Sequence, residues 1–465
     1  MSDKLVSQPT VAIRAGAIDQ DAIAIMFERM RGFGDRPALF YRGETQSYLA
    51  LTREIDAWTA RLRSEGIGPG SVCVIFGDYT PRSCAILWAL MVLGAVSVPL
   101  TPVTSPDLSE LISMAGVKYF IRPDEEGGPR IEALTPTVQN ELIEKFQPRG
   151  TPGLVVFTSG STGKPKGILH DFERVTRKFV AKRPGWRTVL FLMFDHFGGM
   201  NTLLSTFAYG GVGICLEQRV PDIVCRTIEA ARATLLPTTP TFLNLMLASN
   251  VHRTYDLSSI QLITYGTEVM PAATLERVRA AFPKAQIKQT YGLSELGVLR
   301  SRSEDDTSTW VKIGGEGFEV KVKDGLLWVR SEANMVGYLN APNPFDEEGW
   351  LCTGDEVEVR GEYMRILGRK SDLINVGGQK VYPAEVETVL LQADNVVEAA
   401  VFGAPHPIMG QAVHARVTLA QPESLPVLNE RLRKFCVKRL ARYKVPMRFV
   451  VATEEQHGAR FKKIR

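Results

Sequence analysis

The chain has 465 residues, of which 45% are hydrophobic and 23% are charged, the balance of a globular protein with room for two or three domains. Its formal net charge of +4 is slight for this length, so we expect no general attraction to nucleic acid. The six cysteines form no CxxC pair and have no metal-like spacing to histidine, which favours reduced thiols in a cytoplasmic protein.

The start of the chain and one long apolar run bear on whether a membrane is involved. Residues 1–20 are charged and interrupted, unlike a secretory signal peptide. The run 84–100 carries no charge, but it is shorter than the ~20 apolar residues of a spanning helix and is broken by Gly94 and Pro99. A buried helix that leads into a buried strand explains it better. We therefore expect a soluble, cytoplasmic protein without membrane insertion.

The first 300 residues alternate short apolar runs with amphipathic segments. Segment 51–66 repeats large apolar residues at three- to four-residue spacing and ends at a glycine, which predicts a helix, and a second helix is expected at 271–282. Strand-like runs lie at 72–77, 96–100, 118–123, 154–158, 188–193, 212–216, 233–238 and 260–266. This alternation, with uninterrupted apolar strands, predicts largely parallel sheets covered by helices on both faces.

The pattern changes after about residue 310. Two hairpins are predicted, one turning at 323–325 and one at 360–361. A compact α+β segment follows from about 371, with a strand at 398–405 and a basic helix at 428–443. The change from predicted hairpins to a compact α+β pattern, and not a change in composition, predicts a domain boundary near Arg369. The predicted domains are 1–369 and 370–465.

The stretch 157–167, FTSGSTGKPKG, has the composition of a phosphate-binding loop. It is not a Walker A motif, which needs four residues between its glycines and then Lys-Ser/Thr. Closely spaced glycines still allow backbone N–H groups to point inward as an anion nest, while hydroxyls and lysines add donors and charge. A flexible surface turn is the alternative reading of such a composition.

Four later segments carry chemistry of a matching kind. TYGLSE (290–295) ends in Glu295, which is suited to a magnesium ion on phosphates, and GWLCTGD (349–355) ends in Asp355, an acceptor for ribose hydroxyls. The segment 368–387 begins with a glycine and Arg369, and ARFKKIR (459–465) supplies lysines. In this order and spacing the segments resemble the adenylate-forming superfamily of acyl-CoA and aryl-CoA synthetases, luciferases and the adenylation domains of nonribosomal peptide synthetases.

The resemblance implies a reaction and a fold. A carboxylate attacks the α-phosphorus of ATP to give an acyl-adenylate and pyrophosphate, and a thiol then displaces AMP to form a thioester. The implied cofactors are ATP and Mg²⁺, with coenzyme A or phosphopantetheine as acceptor. The implied partners are a small carboxylic acid and an acyl carrier protein. The expected fold class is α/β, with a large N-terminal domain of two mainly parallel sheets with helices plus a small β-barrel-like part, then a small mobile α+β C-terminal domain.

The resemblance also assigns roles to residues of this chain. It gives the β- and γ-phosphates to Thr158, Ser159, Gly160, Ser161, Thr162, Gly163, Lys164 and Lys166. It places adenine between Tyr291-Gly292 and the Tyr265-Gly266-Thr267 segment, and the ribose on Asp355 and Arg369. Thr162 and Glu295 match metal-site positions, and Ser294 stands where threonine is usual.

The C-terminal segment matches the family less closely. The hinge falls at Ser371 or Asp372, and Gly377-Gly378 resembles the loop that lines the thiol tunnel. The adenylating lysine usually follows Ser/Asn-Gly, whereas Arg460-Phe461 precedes the candidate here. Lys462 fits the register best, and Lys463 is its neighbouring competitor.

The acyl pocket is expected around residues 193–201. His196 with Gly199 three residues on matches aryl- and acyl-CoA ligases, in which such a residue gates the carboxylate; His196 is therefore a candidate catalytic residue. A second register matches Asp195 to the ammonium clamp of amino-acid-activating domains. Further pocket candidates are Asn201, Thr239, Phe242, Gly266 and Leu293, a mostly uncharged set that fits an aryl or medium aliphatic acid. The alternatives left open are an amino-acid-activating enzyme and a nucleotide-binding relative impaired in adenylation.

Overall fold

The computed structural model describes residues 21–104, 107–124, 128–136, 138–159, 164–315 and 317–464, without the side chain of Ser159. Its α-helices are Ala22–Gly32, Tyr48–Ser64, Pro81–Val92, Leu108–Met114, Glu141–Phe146, Phe172–Thr176, Phe197–Ala208, Pro221–Ala231, Pro240–Ala248, Ala272–Ala281, Pro383–Leu390 and Leu425–Val437. The helix predicted at 51–66 is confirmed and begins earlier, because the Ser47 hydroxyl accepts the backbone N–H of Ala50 and caps it. Within these described ranges, no helix is long and apolar enough to cross a membrane.

Sheet A has seven strands, in the spatial order Gln286–Gln289, Leu262–Tyr265, Leu235–Thr238, Arg187–Val189, Val212–Ile214, Pro37–Tyr41 and Glu44–Ser47. Neighbouring strands are parallel except for the last pair. The strand predicted at 188–193 is observed only as Arg187–Val189. It ends there because the backbone N–H of Phe191 bonds back to the carbonyl of Val189. The loop that follows leads to Asp195 and His196.

Sheet B also has seven strands, in the order Gly337–Tyr338, Pro165–Asp171, Gly153–Ser159, Val96–Leu100, Val72–Phe76, Tyr119–Arg122 and Arg130–Ala133. The strands from Gly153–Ser159 to Tyr119–Arg122 pair in parallel with their neighbours in this order. The remaining pairs, two at one edge and one at the other, are antiparallel. The run 84–100 forms the buried helix Pro81–Val92 and the buried strand Val96–Leu100, as predicted. Apolar clusters fill the space on both faces of sheet B, so its central strands are covered.

Sheet C is antiparallel and supplies the barrel-like part, in the order Ser301–Ser303, Val311–Ile313, Tyr363–Arg369, Leu351–Arg360, Leu326–Ser331 and Phe318–Lys323. Both predicted hairpins are confirmed, with turns at Asp324-Gly325 and Gly361. The short hairpin Tyr291–Leu293 with Gly297–Leu299 shares a core with this sheet.

Sheet D forms the C-terminal part, with strands Gln379–Val381, Ile374–Val376, Gly410–Leu419 and Val396–His406, and with Arg448–Val451 beside Gly410–Leu419. It has a core of its own. The expected α/β class is confirmed by the two mainly parallel sheets, the barrel-like sheet and this separate small part. The mobility of the small part stays a prediction. The boundary near Arg369 stays a prediction. The helix predicted at 428–443 ends at Val437, because the N–H groups of Arg439 and Leu440 both return to the carbonyl of Cys436.

Candidate active site

The two arms of the glycine-rich loop are neighbouring antiparallel strands of sheet B. Thr158 pairs with Lys166, and Ser159 pairs with Pro165, so the chain reverses at the end of this pair. The residues assigned to the turn itself, Gly160, Ser161, Thr162 and Gly163, lie outside the described residues. Lys164 is exposed.

Lys166 belongs to a polar cluster at this edge of the sheet. Its ammonium lies 5.0 Å from the centre of the Tyr338 ring, and the Tyr338 hydroxyl donates to Glu295 Oε1 at 2.7 Å. Ser294, which precedes Glu295, is held as well. Its backbone carbonyl forms a hydrogen bond of 2.7 Å with Nε2 of the His170 ring. Burial lowers the pKa of His170 to about 4, so its ring is neutral and Nε2–H is the donor. These contacts bring Lys166 and Glu295 to one place.

An open cleft lies between the large domain and the C-terminal part. Its lining includes six of the predicted site residues: Tyr291, Gly292, Leu293, Asp355, Arg369 and Lys462. The Tyr291 hydroxyl donates to Asp355 Oδ2 at 2.6 Å, and Arg369 Nε lies 3.5 Å from Asp355 Oδ1. Asp355 and Arg369 meet because they are directly opposed on the two strands of one hairpin.

The pKa of the Asp355 carboxyl group lies above its ordinary value. Burial raises the pKa of its carboxyl group, while the Tyr291 hydroxyl and the cations of Arg369 and Lys462 act to lower it. The carboxylate is thus an acceptor set deep in the cleft, with cations beside it. Such a group is suited to bind the hydroxyls of a ribose.

The segment 265–267 forms the opposite wall only in part. Thr267 lines the cleft with a backbone φ of 70°, a conformation that costs a β-branched residue energy and is found mostly at functional sites. Gly266 allows close packing, since a Cβ there would lie 2.6 Å from Thr290 Oγ1. The ring of Tyr265, in contrast, is buried in the core that covers sheet A. Its predicted contact with adenine therefore has no counterpart in the cleft lining.

The two candidate lysines of the tail occupy different surroundings. Lys462 lines the cleft with Asp355 and Arg369. The ammonium of Lys463 lies 3.0 Å from Glu387 Oε2 and 3.0 Å from the Ala399 carbonyl, both in the C-terminal part. The Glu387 side chain is 2% exposed. Lys463 therefore belongs to a buried ion pair, while Lys462 reaches the cleft.

The predicted acyl-pocket residues cluster around the loop before helix Phe197–Ala208. His196 caps that helix through Nδ1, which accepts the Gly198 N–H at 3.1 Å, and burial with nearby Arg460 and Lys462 lowers its pKa to about 3. The ring is therefore neutral at physiological pH and cannot supply a positive charge. At Gly199 a Cβ would lie 2.2 Å from the Met193 carbonyl, so packing alone requires glycine there. Asn201 lies on the same helix.

Two further pocket candidates contact the tail. The Thr239 hydroxyl caps helix Pro240–Ala248 and donates to the Phe461 carbonyl at 3.1 Å. The Phe242 ring lies 5.3 Å from the Phe461 ring. Thr239 and Phe242 thus hold the C-terminal tail in this arrangement.

The hinge and tunnel candidates lie away from these contacts. Ser371 and Asp372 form part of a short 3₁₀ turn directly after strand Tyr363–Arg369, and Asp372 lines the cleft. Gly377 and Gly378 form the exposed turn between two strands of sheet D, outside the cleft lining. Their functional assignment stays a prediction.

Three residues contribute to the site in ways that the sequence did not predict. Tyr338 holds Glu295, and Glu268 accepts the Lys463 N–H at 2.6 Å and the Thr241 hydroxyl at 2.6 Å. Arg460 forms an ion pair with Asp195 at 3.0 Å. In the sequence, Arg460 stands out only because the family pattern has a serine or an asparagine at this position.

Comparison with known proteins matches both parts of the chain. Residues 26–339 match the model of the AMP-binding enzymes, and residues 385–462 match that of the AMP-binding enzyme C-terminal domain. The chain belongs to the AMP-binding enzyme family. The resemblance to adenylate-forming enzymes drawn from the sequence motifs is thereby confirmed.

Relatives within this family include two ligases. The 3-[(3aS,4S,7aS)-7a-methyl-1,5-dioxo-octahydro-1H-inden-4-yl]propanoyl:CoA ligase of Rhodococcus jostii (strain RHA1) is 34% identical, over 64% of this chain and 61% of that protein. This chain thus spans about three fifths of the length of that relative. The 2-succinylbenzoate–CoA ligase of Bacillus subtilis (strain 168) is 27% identical over 95% of this chain and 96% of its own length.

A solved structure shows the same fold. The anthranilate CoA ligase AuaEII, in complex with anthranoyl-AMP, matches with a TM-score of 0.81 and 23% identity. The match covers 96% of this AMP-binding enzyme and 95% of that chain. The arrangement of the large and small parts described above is therefore the fold of this family.

Proposed function

We propose that the protein is an AMP-forming acid–thiol ligase, which activates a carboxylic acid with ATP and passes the acyl group to coenzyme A or to a carrier protein's phosphopantetheine. One observation carries the proposal: Lys462 lines the same cleft as Tyr291, Asp355 and Arg369. An exposed cation beside a buried acceptor suits a reaction in which an anion attacks a polyanion. The CoA-ligase names of the two relatives support the same reaction class.

In the first half-reaction, a carboxylate oxygen of the acid forms a bond to the α-phosphorus of ATP. The bond from that phosphorus to the bridging oxygen breaks, and pyrophosphate leaves. Asp355 and Arg369 hold the ribose, Tyr291 and Gly292 flank the adenine, and Lys462 stabilises the charge that develops on the α-phosphate. The phosphate-loop residues, including Thr158 and Lys166, hold the phosphates that leave.

Magnesium fits the residues at the phosphate edge of the site. Glu295 offers a carboxylate whose Oε1 is oriented by the Tyr338 hydroxyl, and the Lys166 ammonium lies over the Tyr338 ring. Mg²⁺ is commonly bound by one or two carboxylates together with substrate phosphates, so Glu295 with Thr162 would be a sufficient protein contribution. The ion would neutralise charge on the phosphates.

In the second half-reaction, the thiol gives up its proton to solvent, its sulfur forms a bond to the acyl carbonyl carbon, and the bond from that carbon to the phosphate oxygen of AMP breaks. This step does not use Lys462, because AMP is already a good leaving group. The small domain turns at Ser371 or Asp372, which withdraws the tail, and the turn at Gly377-Gly378 approaches the pantetheine arm. Exposed glycines at positive φ leave room for that approach.

The acid is proposed to be an aryl or medium aliphatic one. Asp195 is already paired with Arg460, which opposes a role as clamp for a substrate ammonium and so disfavours amino-acid activation. His196 is neutral and partly buried, as expected of a gate to an uncharged pocket. Leu293 contributes apolar surface to the cleft.

Product analysis tests the proposal. The protein is incubated with ATP, Mg²⁺, coenzyme A and a panel of aryl, aliphatic and amino acids, and the products are resolved by mass spectrometry. We expect equal amounts of AMP and an acyl-CoA thioester with an aryl or aliphatic acid. Formation of ADP, or of AMP without any acyl product, would overturn the proposal. A second run with a phosphopantetheinylated carrier protein distinguishes the two thiol acceptors.

A further inference from the structure

The tail contains an inter-domain contact that the family pattern does not account for. Arg460 Nη2 donates to Asp195 Oδ2 at 3.0 Å, and Nη1 donates to the carbonyl of Phe157 at 3.2 Å. Phe157 directly precedes the phosphate loop, and Asp195 directly precedes His196. One guanidinium from the C-terminal part therefore contacts both the phosphate side and the acyl side of the large domain.

The large domain is built to receive this cation. The Asp195 side chain is only 3% exposed, and the hydroxyls of Thr101 and Thr104 donate to the same Oδ2 that Arg460 contacts. A buried carboxylate is costly unless a cation and hydrogen bonds compensate its charge. The planar guanidinium can satisfy a carboxylate and a carbonyl at once, which the single ammonium of a lysine does less well.

The residue between Arg460 and Lys462 fixes the register. The Phe461 ring lies 5.4 Å from that of Phe191 and 5.3 Å from that of Phe242, and its backbone has a φ of 51°. An aromatic residue is uncommon in this left-handed region, so surrounding contacts must hold it there. Arg460 and Phe461 together leave Lys462 directed at the cleft.

We propose that Arg460, through its ion pair with Asp195, is a positioning residue that seats Lys462 for adenylate formation. The inference rests on the proposed function, in which Lys462 acts in the first half-reaction only. Since the pair joins the tail to the large domain, it opens whenever the small domain turns, and it contributes nothing to thiol transfer.

Separate assays of the two half-reactions test this role. Adenylate formation is followed by release of pyrophosphate, and thioester formation is started from chemically prepared acyl-adenylate and coenzyme A. We expect Arg460→Gln to lower the first rate at least tenfold and to leave the second within twofold. Arg460→Lys should recover part of the first rate. The control is Arg416→Gln, because Arg416 also contacts the tail, at the Ile464 carbonyl, but from within the small domain.

The double variant tests the partner. If the pair acts as a unit, Asp195→Asn combined with Arg460→Gln should be no slower in adenylate formation than the slower single variant. Multiplication of the two losses, an equal fall in both half-reactions, or an Arg460→Gln variant within twofold of the parent protein would each overturn the inference.

A measurement without substrate separates this inference from the proposed function. Amide hydrogen exchange of residues 457–464 reports on the tail directly, since the Lys463 N–H bonds to Glu268 only when the tail is seated. We expect at least tenfold faster exchange in Arg460→Gln and unchanged exchange in Arg416→Gln. Equal protection in all three proteins would overturn the positioning role even if no acid were activated. Faster exchange in Arg460→Gln from a protein that activates no acid would count against the proposed function alone.

Discussion

Two neighbouring lysines give the sharpest prediction, because the structure uses them differently. Lys463→Met removes the partner of Glu387, a carboxylate that also accepts the Val401 N–H at 3.0 Å and is 2% exposed. Breaking a buried ion pair from one side typically costs about 3–5 kcal/mol. Since 12% of the Lys463 side chain remains exposed, we expect the lower end, about 3 kcal/mol. At ~4–8 °C per kcal/mol for a domain of this class, the small domain should melt at least ~10 °C lower.

Lys462→Ala should behave in the opposite way. Lys462 is exposed, so its loss should change the free energy of unfolding by less than about 0.5 kcal/mol. Adenylate formation should nevertheless fall by about 10²–10³-fold, the usual cost of removing one group that stabilises transition-state charge. ATP should still bind.

The assay compares both variants in thermal unfolding and in pyrophosphate release at a temperature at which both are folded. Lys463→Met should keep adenylate formation within a few-fold of the parent protein. Adding Glu387→Gln to Lys463→Met should restore part of the stability, since no unpaired charge stays buried and the amide oxygen can still accept the Val401 N–H. A stable, inactive Lys463→Met variant together with a fully active Lys462→Ala variant would refute the reasoning.

Three other predictions follow from single contacts. Asp355→Asn removes a charged acceptor from the cleft and should weaken ATP binding about 10–100-fold in calorimetry; unchanged affinity would exclude Asp355 from the ribose site. His170 has a pKa of about 4 in the folded protein against 6.5 unfolded, so the unfolded chain binds the extra proton and stability falls as pH drops from 6.5 to 4. In urea unfolding, the loss of unfolding free energy between pH 6.5 and 4 should be about 3 kcal/mol smaller for His170→Gln than for the parent protein. The same pH dependence in both proteins would contradict the account. Gly199→Ala places a Cβ 2.2 Å from a carbonyl oxygen and should destabilise by at least about 1–3 kcal/mol, whereas Gly32→Ala meets nothing within 4 Å; equal stability of the two would be unexpected.

Local motifs allowed much of the site to be expected from the sequence. The opposition of Asp355 and Arg369 depends on one hairpin, whose turn residues are readable in the sequence. The buried run 84–100 was also assigned correctly, because its length and its glycine and proline exclude a membrane span.

Contacts between segments that are distant in the sequence could not be predicted from local motifs. Arg460 and Asp195 are 265 residues apart, and nothing in either local pattern links them. The register of the tail favoured Lys462 over Lys463, but it gave no sign that Lys463 would pair with Glu387 in another element. Tyr265 was assigned to the adenine wall, but its place on the strand turns the ring into the core. Such features depend on tertiary packing, which a single sequence does not encode in any short motif.

The central claim is that the protein forms an acyl-adenylate from ATP and a carboxylic acid. Its most direct test is exchange of labelled pyrophosphate into ATP, measured without any thiol and across aryl, fatty and amino acids. We predict exchange that depends on an aryl or medium aliphatic acid and is lost in Lys462→Ala. Binding of ATP without exchange for any acid in the panel would contradict the claim, and exchange with amino acids alone would return Asp195 to the role of ammonium clamp.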